Sequence, residues 1–145
     1  MTKENLKTGL IVVLLIATVV LAWKYCIYKV QVENRDVRSV HLELCSAFYV
    51  MDSAETEEDW EKGTQWISFA NRAFPPYPQG EAAQRVLKVC EALPNLKFGS
   101  EEYEEVKALY ADDFPIDFKY STFEVYFTIH DEAKFSHLEE VLGIR

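Results

Sequence analysis

The segment Leu10–Trp23 runs for fourteen residues with Thr18 as its only polar side chain, and no other feature of the chain restricts the fold so severely. A helix that is apolar on every face cannot rest on a soluble core with one side in water. It enters lipid, is removed as an export signal, or is enclosed by protein. Fourteen residues suit the apolar region of a signal. Extended from Thr8 to Tyr28, however, the segment becomes twenty-one residues interrupted only by Lys24, roughly 30 Å of helix and enough to cross a bilayer. Trp23, Tyr25 and Tyr28 carry amphipathic rings suited to the headgroup level, and Lys24 and Lys29 can reach water while their stems stay in apolar surroundings.

We therefore expect a short N-terminal tail over 1–7, a retained single-pass transmembrane helix over 8–29 acting as a signal-anchor, and an acidic globular domain over 30–145. Trp23, Lys24, Tyr25, Tyr28 and Lys29 form its membrane interface. Cleavage after Ala22 satisfies the small-residue rule but leaves a new terminus, "WKYCIYKV", that is awkwardly apolar for a soluble product.

Orientation is set by competing charges. Lys3 and Lys7 precede the span and Lys24, Lys29, Arg35 and Arg38 follow it, so a bare count of positive charges places the domain in the cytoplasm. Lys24 belongs to the belt, however, and Arg35 and Arg38 are offset by Glu33 and Asp36. A short basic tail before a first apolar segment commonly stays inside while the rest is exported. Cys45 and Cys90 are the only cysteines of the domain. A bridge between them would be worth about 4 kcal/mol by chain entropy and requires an oxidising compartment; two free thiols are the alternative. The expectation is an extracytoplasmic domain with Cys45 and Cys90 as the candidate disulfide.

From Val30 onward there are 11 Lys and Arg against 23 Asp and Glu, a balance of about −12. That charge repels nucleic acid and anionic lipid surfaces. A basic protein is the partner it favours, although acidity also serves solubility alone.

Periodicity after the span is mainly helical. Val37, Val40, Leu44, Phe48 and Met51 recur at three- and four-residue steps, an apolar stripe on one helix. The charged stretch "VENRD", with Asn34 as a helix start, is the expected weak point before it. "TEEDWEKGTQWISFANRAF" predicts a second helix with acids in its first turn and Trp60, Ile67, Ala70 and Phe74 on one face, Gly63 being its least helical position. "PPYPQG" breaks it, because Pro75, Pro76 and Pro78 hold extended backbone. A third helix, "EAAQRVLKVCEAL", turns Ala83, Val86, Leu87 and Cys90 inward. A fourth starts from Ser100 as a cap, with Tyr103, Val106, Leu109 and Tyr110 toward the core.

Further on, "IDFKYSTFEVYFTI" alternates with Ile116, Phe118 and Tyr120 in one phase and Phe123, Val125, Phe127 and Ile129 in the other. The phase change near Ser121 predicts a tight hairpin or a bulged strand. A last helix, capped by Asp131 and ended at Gly143, turns Phe135, Leu138 and Leu142 inward to cover the hairpin. The fold class is α+β, mainly helical: an N-terminal single transmembrane helix, a small helical domain, a C-terminal β-hairpin or bulged strand, and a terminal helix.

Chemistry-bearing patterns are sparse. His41 and Cys45 lie one helical turn apart, but no second pair completes a tetrahedral metal site. His130 and His137 sit near Asp131 and Glu132, an arrangement usual for surface residues. No Gly-rich phosphate loop, nucleophile elbow or metalloprotease pair is present, and the acidic clusters lack the ligand spacing and central Gly of a calcium loop. Neither catalysis, metal nor cofactor is expected. Aromatic residues set among acids, Trp60, Tyr103 and Phe114, are the candidate partner-binding anchors.

Gly9 before an apolar helix that continues into a soluble one, followed by a C-terminal strand region, is similar in order to pilin-like proteins. The leader of those proteins is cut after such a glycine, and where most of them carry Glu at the fifth residue after the cut, this chain has Val13 or Leu14. The function expected from the residues is that of a membrane-anchored interaction protein, an accessory subunit or regulator of a larger assembly in the bilayer. An immunity or inhibitor protein against a basic partner is the alternative, followed by a pilin-like subunit or an enzyme.

Overall fold

The computed structural model describes residues 3–73, 76–120 and 125–145. Expectations resting on Phe74, Pro75, Ser121 and Phe123, and on the side chain of Ala70, lie outside these residues. The architecture is mainly helical with one small antiparallel sheet, in the order α1 (Lys3–Ser53), α2 (Glu57–Ala73), α3 (Glu81–Ala92), a 3-10 turn (Leu93–Asn95), α4 (Glu101–Ala111), β1 (Ile116–Tyr120), β2 (Val125–Ile129) and α5 (Glu132–Val141). By internal contacts the chain divides into two compact units, Met1–Val32 and Glu33–Arg145.

In the first unit every residue from Lys7 to Gln31 is exposed. α1 is one helix long and apolar enough to cross a membrane, and none of its 18-residue apolar window is buried. Thr18, the lone polar side chain, donates its hydroxyl to the Leu14 carbonyl at 2.8 Å. That bond satisfies the hydroxyl within the helix and leaves the run effectively apolar.

The second unit is organised on the stripe Val37, Val40, Leu44, Phe48 and Met51, all buried. The expected weak point at "VENRD" is corrected: these residues are helical, and Asn34 does not cap a helix. Its Oδ1 instead accepts the Val125 N–H at 3.2 Å, satisfying a backbone donor of β2.

α2 is started by Thr56, whose Oγ1 accepts the Asp59 N–H at 3.2 Å, an N-cap bond, while donating to Asp59 Oδ2 at 2.6 Å. Gly63 lies within α2 for a packing reason. A Cβ there would overlap both methyls of Val50, so α2 crosses α1 at a point where only glycine fits. Trp60 is buried, its indole N–H donating to the Leu96 carbonyl at 2.8 Å. The following connector is anchored by the buried Asp36 carboxylate, which accepts the Tyr77 N–H at 3.2 Å and pairs with Arg35 at 2.9 Å.

α3 buries Ala83, Val86, Val89 and Cys90; Leu87 is only half-buried, displaced by Val89 from the role the sequence assigned it. α4 begins as expected, with Ser100 Oγ accepting the Tyr103 N–H at 3.2 Å. Tyr103 and Val106 are buried and Leu109 partly so, whereas Tyr110 is exposed rather than inward. The Tyr103 hydroxyl donates to the Met51 carbonyl at 2.8 Å, near the end of α1. Its ring meets Trp60 edge-on at 5.1 Å, a favoured aromatic geometry.

β1 and β2 pair antiparallel, Ile116 with Ile129, Phe118 with Phe127 and Tyr120 with Val125. Each pair sets an even-numbered residue opposite an odd-numbered one, so the phase change in the sequence is what brings both apolar sets to one face. A lone two-stranded sheet is marginal in water. Here it is held by α1 and α3: Phe118 stacks on His41 with centroids 3.8 Å apart, Arg38 lies 4.5 Å over the Tyr120 ring, and β2 packs on α3.

α5 is capped by Asp131, whose Oδ1 accepts the Lys134 N–H at 3.0 Å, and it buries Phe135 and Leu138. It closes with bonds from Gly143 N–H to Glu140 O and Ile144 N–H to Glu139 O, a Schellman motif that Gly143 permits with φ of 65°. The expected docking of α5 on the hairpin is corrected: it packs on α4. Arg85 of α3 holds it through a two-pronged pair with Glu139 at 2.9 and 2.7 Å and a contact to Glu132 at 2.6 Å.

Candidate functional site

α1 serves two separate surfaces within the second unit. The stripe 37/40/44/48/51 goes inward, and a second row, Leu42, Cys45 or Ser46, and Tyr49, repeats at the same helical interval and remains outside. Beside it, α2 sends Trp60, Thr64 and Ile67 inward and leaves Trp66, one residue around the helix from Ile67, in solvent. These rows form the walls of an open groove of about 830 Å³, lined by α1 residues from Leu42 to Asp52, by Gly63, Trp66 and Ile67 of α2, and by Tyr110 of α4. Its three most exposed large apolar side chains, Leu42, Tyr49 and Trp66, are 66, 75 and 77% exposed. Large apolar side chains left in water on two adjacent helices are a marker of a binding surface.

One end of the groove has an aromatic wall. Phe48 and Tyr110 stack at 4.0 Å, and Phe114 meets both edge-on, at 4.8 and 5.5 Å. Among the described residues, the charged side chains of the lining are Glu43 and Asp52, with no Lys, Arg or His. Glu43 is buried. Desolvation, reinforced by the charge of Glu91, pushes its carboxyl up to about 7, so near neutrality it divides between carboxylic acid and carboxylate.

Cys45 Sγ lies 3.5 Å from His41 Nε2. Burial raises the thiol and lowers the imidazole, so both are neutral near pH 7. A nucleophilic cysteine needs the opposite shifts. Among the described residues no three His, Cys, Asp or Glu side chains converge as a metal site.

Several sequence-based assignments are corrected by these positions. Trp60 and Tyr103 are core residues bonded to backbone carbonyls, and they face no partner surface. Phe114 is half-buried behind the groove wall, in contact with Phe48 and Tyr110 of its lining. Cys45 and Cys90 are free thiols. Cys45 is exposed beside His41, whereas Cys90 is buried with its thiol directed to the Val40 carbonyl at 3.7 Å, so no bridge joins them and their pairing carries no information on compartment. Trp23, Lys24, Tyr25, Tyr28 and Lys29 all lie on α1 in the first unit and are exposed. Leu42, Tyr49 and Trp66 were missed. Their signal was present as large apolar residues at helical spacing that fall off the inward stripe.

No protein-family model matches the chain, and no curated protein or solved structure matches it.

Proposed function

We propose that this chain is a single-pass membrane protein whose acidic domain binds another protein, as an accessory subunit or regulator of an assembly in the same bilayer. The observation that carries it is that every apolar residue from Leu10 to Leu21 is exposed, with none packed against the domain core. Ten Leu, Ile and Val side chains there favour insertion by about 3–6 kcal/mol in total. Trp23, Lys24, Tyr25, Tyr28 and Lys29 would hold the far end at the headgroup level. Confinement to one membrane raises the effective concentration of a partner without any added contact. The groove supplies the binding surface, and the neutral state of the Cys45–His41 pair favours binding over catalysis. The short tail carrying Lys3 and Lys7 favours export of the domain.

Alkaline carbonate extraction of membranes holding the full chain tests the anchor: the chain is expected in the pellet, and release into plain buffer would overturn the reading. In a Cys26→Ser background, a membrane-impermeant maleimide added to intact cells should label Cys45, since Cys90 is buried. Labelling only after lysis would place the domain inside.

An inhibitor or immunity role against one basic protein is the second reading, favoured by the −12 balance after the span. It requires stoichiometric binding that weakens steeply with salt, whereas a structural subunit co-purifies in detergent through moderate salt.

A further inference from the structure

We propose that the groove between α1 and α2 is the seat of a cationic amphipathic helix from the partner, its apolar side laid on Leu42, Tyr49 and Trp66 and a Lys or Arg directed to Glu43 and Asp52. This inference rests on the reading of the domain as a protein-binding module and assigns that binding to one surface and one partner chemistry.

Shape is the first support. Leu42 and Tyr49 stand two turns apart on α1, with Trp66 on the neighbouring helix, and a helix laid along the groove presents side chains at i, i+3, i+4 and i+7 at that spacing. A compact small molecule buries most of its own surface in its pocket. In this open groove it would leave some of these three rim residues wet, whereas a helix covers all three. None of them belongs to the inward stripe that organises the core, so their size is not explained by the fold.

Charge selects among helices. Among the described residues the lining contains two carboxylates and no basic side chain. A second copy of this domain would bring a balance of about −12 against another −12, and nucleic acid or an anionic bilayer surface would meet the same repulsion. An acidic helix is disfavoured for that reason, and a neutral one gains nothing from the acidic lining. A Lys or Arg on the polar flank of the docked helix answers both.

The test uses the full chain in lipid nanodiscs, in the Cys26→Ser background, and two synthetic helical peptides of about 18 residues. The peptides share one Leu/Phe face and differ only in carrying Lys or Glu on the polar face. The Lys peptide is expected to bind and to slow alkylation of Cys45, which lines the groove, by about tenfold at saturation. The Glu peptide should do neither. Trp66→Ala and Tyr49→Ala should each weaken the Lys peptide by about tenfold, and both are exposed, so the core survives them. Glu43→Gln should weaken the Lys peptide and leave the Glu peptide unaffected.

Equal binding of both peptides would overturn the proposal. So would Lys-peptide binding that ignores Trp66→Ala and leaves Cys45 equally reactive, or Cys45 protection by a fatty acid but by neither peptide. The broader reading fails separately. If a membrane partner recovered by crosslinking is retained equally by wild type and Trp66→Ala, the groove assignment falls and the interaction function stands; if no partner crosslinks at all, the interaction function itself falls.

Discussion

Leu10–Leu21 and Val37–Met51 belong to the same helix, α1, and draw on the same apolar side chains, yet they meet opposite surroundings. The large apolar residues of the first stretch are 48–67% exposed, whereas the stripe of the second is at most 6% exposed. The first is apolar on every face and contains no position that prefers water, so a small protein core cannot satisfy it and lipid can. The second alternates with the exposed Arg38, Ser39 and Ser46 and therefore has an inside and an outside. Helical propensity is shared between them; the angular distribution of polar residues decides which solvent each stretch requires.

The comparison breaks most visibly if the first stretch is given charges. Leu14→Arg combined with Val19→Arg costs about 6–8 kcal/mol of insertion free energy and should move the chain to the soluble fraction on carbonate extraction. The melting of the domain should be unchanged, because neither residue touches its core.

Next in size is Trp60→Ala. It removes a buried ring and its bond to Leu96 and should cost about 3–5 kcal/mol in denaturant unfolding, while membrane retention persists.

A pH titration of domain stability isolates Glu43. Its folded-state carboxyl, near 7, lies above the unfolded value of 4.5, so the folded domain holds an extra proton between those limits. The resulting stability is fully present below about 4.5 and lost as pH rises through about 7, an effect of about 2–3 kcal/mol. In the difference between wild type and Glu43→Gln that slope should be present in the former and absent in the latter; a flat difference refutes the shift.

Gly63→Ala should cost about 1–3 kcal/mol through overlap with Val50, read as a lowered melting temperature. Smallest is Trp66→Ala, expected within about 0.5 kcal/mol of wild type in the same assay. Its contrast with Trp60→Ala sharpens the distinction between a ring that holds the core and a ring that is presented to a partner.

Much of this architecture was legible because its signals are periodic or local. The inward stripe from Val37 to Met51, the caps at Ser100 and Asp131 and the reversal of phase between the strands each depend on residues close together in the chain. What escaped reading depends on neighbours distant in sequence. Periodicity sets Trp60 with Ile67 on one face of α2, but only the approach of Leu96 and Tyr103 shows that the domain's own core, and no partner, covers that ring. Cys45 could have been separated from Cys90 by angle, since it lies one residue around the helix from the buried Leu44 and off the inward stripe. Asn34 reads as a break because its charged neighbours interrupt the apolar pattern, and the β2 backbone that gives it another role lies 91 residues further on.

The bond from the Tyr103 hydroxyl to the Met51 carbonyl bridges 52 residues, and that interval has a consequence for biosynthesis. At about 5–20 residues per second the ribosome takes roughly 3–10 seconds to deliver Tyr103 after Met51. Over that delay α2 and α3 are translated before α4, so the end of the stripe at Met51 is the last part of it to be covered.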